Sequence, residues 1–475
     1  MNPFADWPAF ALFAAERLAA CACALHAVYR KRRNPTSAAS WVVVCVFIPV
    51  LGSFGYVTLG AERVQRRVLR RRRARAEQRS AEWAALGLTL PAEATAEHAL
   101  AVRAGLAGLG GNPFVSGNSL RLHVDGDEAY PAMLQAIRGA QRSVVLASYI
   151  FDSKGADSVG VDFLEALTHA ARRGVRVRVL YDAVGSGATR ARFFEPLRAA
   201  GARVQEFFPR LQAWRLNFRD HRKILLVDDR IGFVSSLNIG ARHLRKGPCF
   251  SSHDFSVEIA GPVLEQLRLA YEREWLFATD EEAEQEVVAL PPASGPHAVQ
   301  VLEGGPFHTD PVFLTSLVSA IHHSRSDIML CTPYFIPDAT LRMALRTAVS
   351  RGVKLTLLVP ERCDSMLVDR ARMNELRPLA REAQVRVLLV PGPMQHTKVA
   401  ILDGEVALLG SSNLDNRSLF LNFELDIAVA SREFAQQLHS MLAPDVARAH
   451  ALPTTRAPLL TLFAERAAAL FAPLL

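Results

Sequence analysis

The segments HRKILLVD at 221 to 228 and HTKVAILD at 396 to 403 both spell H-x-K-x-x-x-x-D, and they lie 175 residues apart in a chain of 475. Two more pairs keep nearly the same offset: ARRGVRVRVLYD at 171 to 182 resembles VSRGVKLTLLVP at 349 to 360, and SVVLASYIFD at 143 to 152 resembles DIMLCTPYFIPD at 327 to 338. A self-similar chain must fold the same way twice. SVVLASYI is a β-rich apolar run, FLEALTHAARRG is an amphipathic helix ending at Gly174, and VRVRVLYD alternates as a strand. Strand, helix and strand, followed by a strand bearing the motif, predict an α/β fold of two fused repeats forming one unit. DEEAEQEVVALPPASGPH at 280 to 297 is acidic and proline-containing and reads as the connector. The expected division is 1–60, a membrane hairpin; 61–116, a basic juxtamembrane segment and linker; 117–279, the first half; 280–300, the connector; and 301–475, the second half with an amphipathic tail.

The amino-terminal end is of another kind. Residues 34 to 60 carry no charge, and Ala38 to Gly60 is long enough to span a bilayer as a helix. Trp7 to Tyr29 is apolar too, except for Glu16 and Arg17, which call for a partner helix or an interfacial position. Asp6 and the absence of positive charge before the apolar run argue against a cleaved signal peptide. The expectation is a two-helix transmembrane hairpin joined by RKRRNPTS. Residues 61 to 80 hold nine arginines against two glutamates, a net +7, while RKRR at 30 to 33 adds +4. This balance favours a membrane protein whose main domain is cytoplasmic, with the arginine run against anionic headgroups. The first 80 residues carry +10 of an overall +8, which leaves −2 for the rest and argues against nucleic acid as a partner. The six cysteines have no zinc-site spacing, and no G-x-x-x-x-G-K-[ST] run suggests a nucleotide.

In a strand, positions two apart share a face, so His221 projects with Lys223 and His396 with Lys398. Asp228 and Asp403 have the wrong parity for that face and are expected to brace the fold or a lysine. Asn238 and Asn413 each follow their histidine by 17 residues, and Ser412 is set opposite Ser236. Asp254 and Glu424 bring an acid into each half before an apolar strand. Two histidines, two lysines, two asparagines and two carboxylates suit transfer at a phosphodiester. One imidazole attacks phosphorus and the other protonates the leaving alkoxide, then deprotonates the incoming alcohol. Lysines and asparagines hold the non-bridging oxygens, and each carboxylate fixes a histidine tautomer. The scheme calls for no metal and no cofactor. His322 and His323 read as surface residues, and His26 as a membrane histidine without a partner.

On these residues the chain resembles the phospholipase D superfamily and, within it, the bacterial cardiolipin synthases. The resemblance rests on the paired motifs, the span ending WVVVCVFIPVLGSFGYVTLG, GNSLRLHVDGDEAY from 117, YIFD from 149, NFRDHRKILLVDDRIGF from 217, TPYFIPD from 332, HTKVAILDGEVALLGSSNLDNRSLFLNFELD from 396, and the tail PLLTLFAERAAALFAPLL. It implies two phospholipase D-like halves making cardiolipin and glycerol from two phosphatidylglycerol molecules, with phosphatidylglycerol and anionic membrane lipids as partners. It also implies that His221 is the nucleophile and His396 the general acid/base. Lys223, Lys398, Asn238 and Asn413 would bind phosphate, Asp254 and Glu424 would orient the histidines, and Asp228 and Asp403 would complete the catalytic motif. The glycine usual before the first serine is Ser235 here, whereas the second half keeps Gly410. Water as acceptor would make the chain a phospholipase D. A nuclease is disfavoured by the spans and by the charge of the main domain, and an inactive scaffold by the intact motif set.

Overall fold

The computed structural model describes residues 7–30, 35–57, 112–153, 158–208, 218–245, 252–279, 281, 290–305, 311–455 and 457–472. The basic loop after Arg30, the arginine-rich run at 61 to 80 and residues 280 and 282–289 of the acidic connector lie outside the described residues. The chain divides into an amino-terminal helical unit and a larger α/β unit.

In the first unit Trp7–Arg30 is one helix of 24 residues, and its Phe10–Tyr29 stretch is long and apolar enough to cross a membrane. The segment from Ala38 to Gly60, expected as one uninterrupted span, instead forms two helices, Pro35–Phe47 and Pro49–Gly55. Pro49 has no N–H to continue the ladder, and a proline drives the residue before it out of the α region. Ile48 accordingly sits at φ −130°, ψ 68°. Beside the break, the Val46 carbonyl accepts a hydrogen bond from Arg17 Nη1 at 3.3 Å, which gives the charged pair a partner helix. His26, expected to lack a partner, has one: its Nδ1 lies 2.8 Å from the Tyr56 hydroxyl, in a cluster with Ala24, Ala27 and Cys45.

In the larger unit the first half contributes β1 (Val115–Val124), β2 (Ser143–Ser148), β3 (Arg176–Asp182), β4 (Arg203–Phe207), β5 (Ile224–Val227), β6 (Ile231–Ser235), β7 (Ser252–His253) and β8 (Phe255–Ala260). The second contributes β9 (His297–Gly304), β10 (Asp327–Cys331), β11 (Lys354–Pro360), β12 (Val385–Val390), β13 (Met394–Gln395), β14 (Val399–Leu402), β15 (Val406–Gly410), β16 (Glu424–Ala430) and β17 (His450–Ala451). The main sheet runs β17-β12-β11-β10-β14-β15-β16-β9-β1-β8-β6-β5-β2-β3-β4, so the two repeats are laid edge to edge through the antiparallel β9/β1 pair. Apart from β17 the order reads the same from either end, repeat element for repeat element.

The repeat is also visible in the details. The helices Val159–Arg172 and Ala339–Ser350 begin on side-chain caps, Ser158 and Asp338, and end before Gly174 and Gly352 at φ 89° and 91°, a conformation that glycine adopts without strain. Each half packs its helices on its own core, with Phe163, Leu167, Val179 and Phe194 in the first and Leu317, Ile321, Leu345 and Leu357 in the second.

The motif aspartates end the inner hairpins. Asp228 and Asp229 turn β5 into β6 at φ 54° and 56°, and Asp403 and Gly404 turn β14 into β15 at φ 51° and 62°, as the first two residues of three-residue loops between the paired ends Val227/Ile231 and Leu402/Val406. Asp228 then accepts hydrogen bonds from the backbone N–H groups of Gln141, Arg142 and Ser143 at 2.7–2.8 Å. Asp403 does the same for Arg325, Ser326 and Asp327 at 2.8–3.0 Å. Neither carboxylate reaches the chemistry, which corrects their inclusion in the catalytic set and agrees with their strand parity. Asp403→Ala is therefore expected to lower unfolding free energy by about 1–3 kcal/mol, the cost of leaving such donors unmet, while kcat stays within about twofold. Thermal unfolding beside a rate measurement checks this.

Candidate active site

Both H-x-K triplets lie on extended lead-ins just before β5 and β14, one step short of the strands expected to carry them. These lead-ins cross to the opposite half. His221 N–H donates to the Phe423 carbonyl at 2.9 Å and Phe423 N–H to Arg219 at 2.8 Å, while β13 pairs with β7 and His396 N–H donates to the His253 carbonyl at 2.9 Å. Phe423 precedes Glu424, and His253 precedes Asp254. Each histidine therefore stands beside the acid of the other repeat.

His221 Nδ1 lies 2.9 Å from Glu424 Oε2 and 3.1 Å from the Ser411 carbonyl. Two acceptors at one nitrogen require that nitrogen to carry the proton, so Nε2 keeps its lone pair. His396 Nδ1 lies 2.6 Å from Asp254 Oδ2, which fixes the same tautomer in the other half. The lysine amines turn back over their own histidines: Lys223 donates to the His221 carbonyl and Lys398 to the His396 carbonyl, and Lys398 Nζ is 3.1 Å from both ring nitrogens of His396. Asn238 Oδ1 accepts from Ile150 N–H at 3.2 Å, which turns its NH2 the other way. The Asn413 side-chain oxygen is buried and has no hydrogen-bond partner among the described residues. The ten residues named from the sequence thus separate into eight that build this site and two aspartates that do not.

Seven of the eight are buried and His396 is partly so, and desolvation dominates their acid–base behaviour. It presses the imidazoles of His221 and His396 well below their ordinary value, and the nearby Lys223 and Lys398 charges press further. It lowers Lys223 to about 7 and Lys398 to about 8, against the pull of Glu424 and Asp254, and raises Glu424 to about 6 and Asp254 in the same direction. Burial that presses the charge off both imidazoles and both ammonium groups is relieved by an anion brought among them. A phosphodiester supplies one.

Below their pKa values the lysines are cationic, so kcat/KM, which reports the free protein, is expected to fall as pH rises through about 7 to 8, and to fall on the acid side as Glu424 takes a proton near 6. The bound phosphate raises both lysines, so the alkaline limb of kcat lies at higher pH. Paired profiles of kcat and kcat/KM measure this displacement.

Other residues complete the site. Ser411 Oγ donates to Glu424 Oε2 at 2.6 Å, and the Tyr149 ring packs edge-on against His221 with centroids 4.8 Å apart. His243, wholly buried, accepts from Asn238 N–H at 3.3 Å through Nε2 and turns Nδ1 toward Asp254 Oδ2 at 3.6 Å. Tyr149 and Ser411 lie within repeat-related segments and could have been singled out. His243 has Ser418 at the equivalent place after Asn413 and left no repeat signal. The serine pairing needs correction. Ser236 N–H bonds Phe255 and Ser411 N–H bonds Leu425, each carbonyl being one residue past an acid, so Ser411 and not Ser412 stands opposite Ser236. The departure at Ser235 has a local reason too: its hydroxyl meets that of Ser256 at 2.6 Å, whereas a Cβ at Gly410 would come 2.5 Å from the Leu425 carbonyl.

Comparison with known proteins gives concordant results. The family model described as "Cardiolipin synthase, PLD-like domain" matches residues 133–262 and 317–445, and "Phospholipase_D-nuclease N-terminal" matches 18–60. Cardiolipin synthase A of Pseudomonas putida (strain W619) is 34% identical over 446 residues, covering 90% of this chain and 89% of the relative. Cardiolipin synthase A of Pseudomonas syringae pv. syringae (strain B728a) is 32% identical over 437 residues, covering 89% and 88%. Among solved structures, phosphatidylserine synthase of Haemophilus influenzae Rd KW20 superposes with a TM-score of 0.62 at 14% identity, over 79% of this chain and all of that one, which is a likeness of fold.

Proposed function

This chain belongs to the cardiolipin synthase family of phospholipase D-like proteins, and on that footing we propose that its two crossed histidine–carboxylate pairs form a single phosphatidyl-transfer centre. The enzyme is a membrane phosphatidyltransferase that makes cardiolipin and glycerol from two molecules of phosphatidylglycerol. The observation that carries the residue assignment is the crossing itself. Glu424 of the second repeat holds His221 of the first, and Asp254 of the first holds His396 of the second, so neither half has a competent histidine alone.

In this reading His221 Nε2 attacks the phosphorus of phosphatidylglycerol, the bond to the glycerol oxygen breaks, and His396 delivers a proton to that oxygen as glycerol leaves. The anionic phosphate opposes the depression of the site's basic groups, so His396 acquires its proton in the complex rather than before it. His396 then removes the hydroxyl proton of a second phosphatidylglycerol, whose oxygen displaces His221 to give cardiolipin. Lys223, Lys398 and the NH2 groups of Asn238 and Asn413 hold the non-bridging oxygens as charge spreads in the trigonal-bipyramidal transition state.

We further read residues 1–60 as a two-pass hairpin, 61–116 as its basic stalk, and 117–279 and 301–475 as halves joined by 280–300. The catalytic part lies on the cytoplasmic side, as the +7 run against the +4 loop favours. Incubating the reconstituted chain with phosphatidylglycerol and weighing the products by mass spectrometry tests the reading. Equimolar cardiolipin and glycerol are expected. Phosphatidic acid without cardiolipin would make water the acceptor.

A further inference from the structure

The helix Leu459–Ala469 is turned inside out. Its inward face presents Glu465, 3% exposed and bound by Arg377 through Nε and Nη2 at 2.9–3.1 Å, and the small Ala468, packed on Ile336 and Ala371. Its outward face presents Leu459, Leu460 and Phe463, at 75%, 85% and 74% exposure, and Leu470 follows at 80%. A helix that must only cover a soluble domain places such side chains the other way round. Since Ala371 and Val368 of the helix Met366–Leu379 meet Ala468 and Ala472, the two helices run antiparallel, and exposed Met366 and Leu367 extend the apolar stripe at its carboxyl end. Arg381 and, between Phe463 and Leu470, Arg466 border it along a groove that also holds Asn374 and Thr454. Asn416, three residues past Asn413, donates to the Ala472 carbonyl at 2.8 Å, so the stripe is fastened to the rim of the active site.

We propose that this helix is an interfacial anchor that lies in the headgroup layer of an anionic bilayer, with Leu459, Leu460, Phe463 and Leu470 among the acyl chains and Arg381 and Arg466 on lipid phosphates, setting the site's rim against its substrate. Apolar residues on one face with arginines at its edge are the composition of helices that lie in a membrane surface. The substrate's location in the bilayer rests on the phosphatidyltransferase reading; the anchor itself does not. A second copy of the chain fits less well, because an 11-residue helix offers a face about 16 Å long and about 10 Å wide, on the order of 300 Å² for two copies together, well short of the ~1,200–2,000 Å² that stable specific interfaces bury.

The test uses the full chain in phosphatidylcholine/phosphatidylglycerol vesicles. Phe463→Trp should add emission that phospholipids brominated along the acyl chain quench, equally at high and low protein-to-lipid ratio. Emission untouched by bromolipid, or altered only as protein copies are crowded together, would overturn the anchor. Leu460→Glu combined with Phe463→Glu should lower kcat/KM on vesicle substrate by about tenfold or more per side chain, the equivalent of one lost leucine or phenylalanine burial. The same variant should keep its rate on phosphatidylglycerol in detergent micelles, which also shows that it folds; an undiminished vesicle rate would contradict the proposal. If the unsubstituted chain forms no cardiolipin on either substrate, the functional reading fails while the quenching still decides the anchor.

Discussion

Replacing His221 by alanine is expected to lower cardiolipin formation by about 10⁴–10⁶-fold, to the background rate, because in the proposed mechanism it removes the atom that bonds phosphorus in the first step. His396→Ala should cost less, about 10²–10⁴-fold, since a proton carrier can be replaced in part by water or buffer. The carboxylates sharpen the test. Glu424 lies 203 residues from His221 in the chain yet 2.9 Å from its Nδ1. Glu424→Gln should therefore slow the release of the first glycerol by about 10²–10⁴-fold, the effect of losing control of a histidine's tautomer. Asp254→Asn, acting through His396, should slow both glycerol release and transfer to the acceptor lipid. Single-turnover measurements with labelled phosphatidylglycerol separate these steps. If Glu424→Gln impaired only the second step, the crossed pairing assigned to His221 would be wrong.

The second large effect belongs to the lysines. Lys223→Ala and Lys398→Ala are each expected to reduce kcat by about 10²–10³-fold, the usual loss when one preorganised donor to a developing anion is removed. Their buried position makes them strong donors, because solvent does not screen their charge. Lys223→Arg should recover little. The planar guanidinium cannot turn back over the His221 carbonyl as a rotating ammonium does, and the Tyr149 ring, 5.6 Å from Nζ, occupies the space it would need. Losing Lys223 should also move the lower part of the alkaline limb in kcat/KM toward that of Lys398, near 8. Circular dichroism of each variant distinguishes a lost donor from a lost fold.

What the sequence disclosed and what it hid follow from range. The repeat is a one-dimensional signal, and it carries the palindromic strand order, the helix ends at Gly174 and Gly352, and the paired histidines, lysines and asparagines. Parity along a strand was enough to set Asp228 and Asp403 apart from the chemistry, although the positive-φ turns they make became evident only with the backbone in view. The crossing could not be read. Glu424 and Asp254 reach the histidines across 203 and 142 residues, and nothing in a single chain says which acid serves which imidazole. His243 was silent for a related reason: it belongs to one repeat only. At Pro49 the sequence held the answer, because a proline that lipid can accommodate is still a proline without an N–H, and the helix breaks there. The inverted carboxyl-terminal helix shows amphipathicity in its sequence but not its sense, since Glu465 faces inward only because Arg377 is there to receive it.

The most direct measurement is of the covalent intermediate. The intact chain is quenched in denaturant above neutral pH during turnover of excess phosphatidylglycerol, conditions under which a phosphorus–nitrogen bond survives, and its peptides are weighed by mass spectrometry. A phosphatidyl adduct on the peptide bearing His221, absent from a His221→Ala chain, is the predicted result. An adduct on His396, or cardiolipin produced with neither histidine modified, would contradict it.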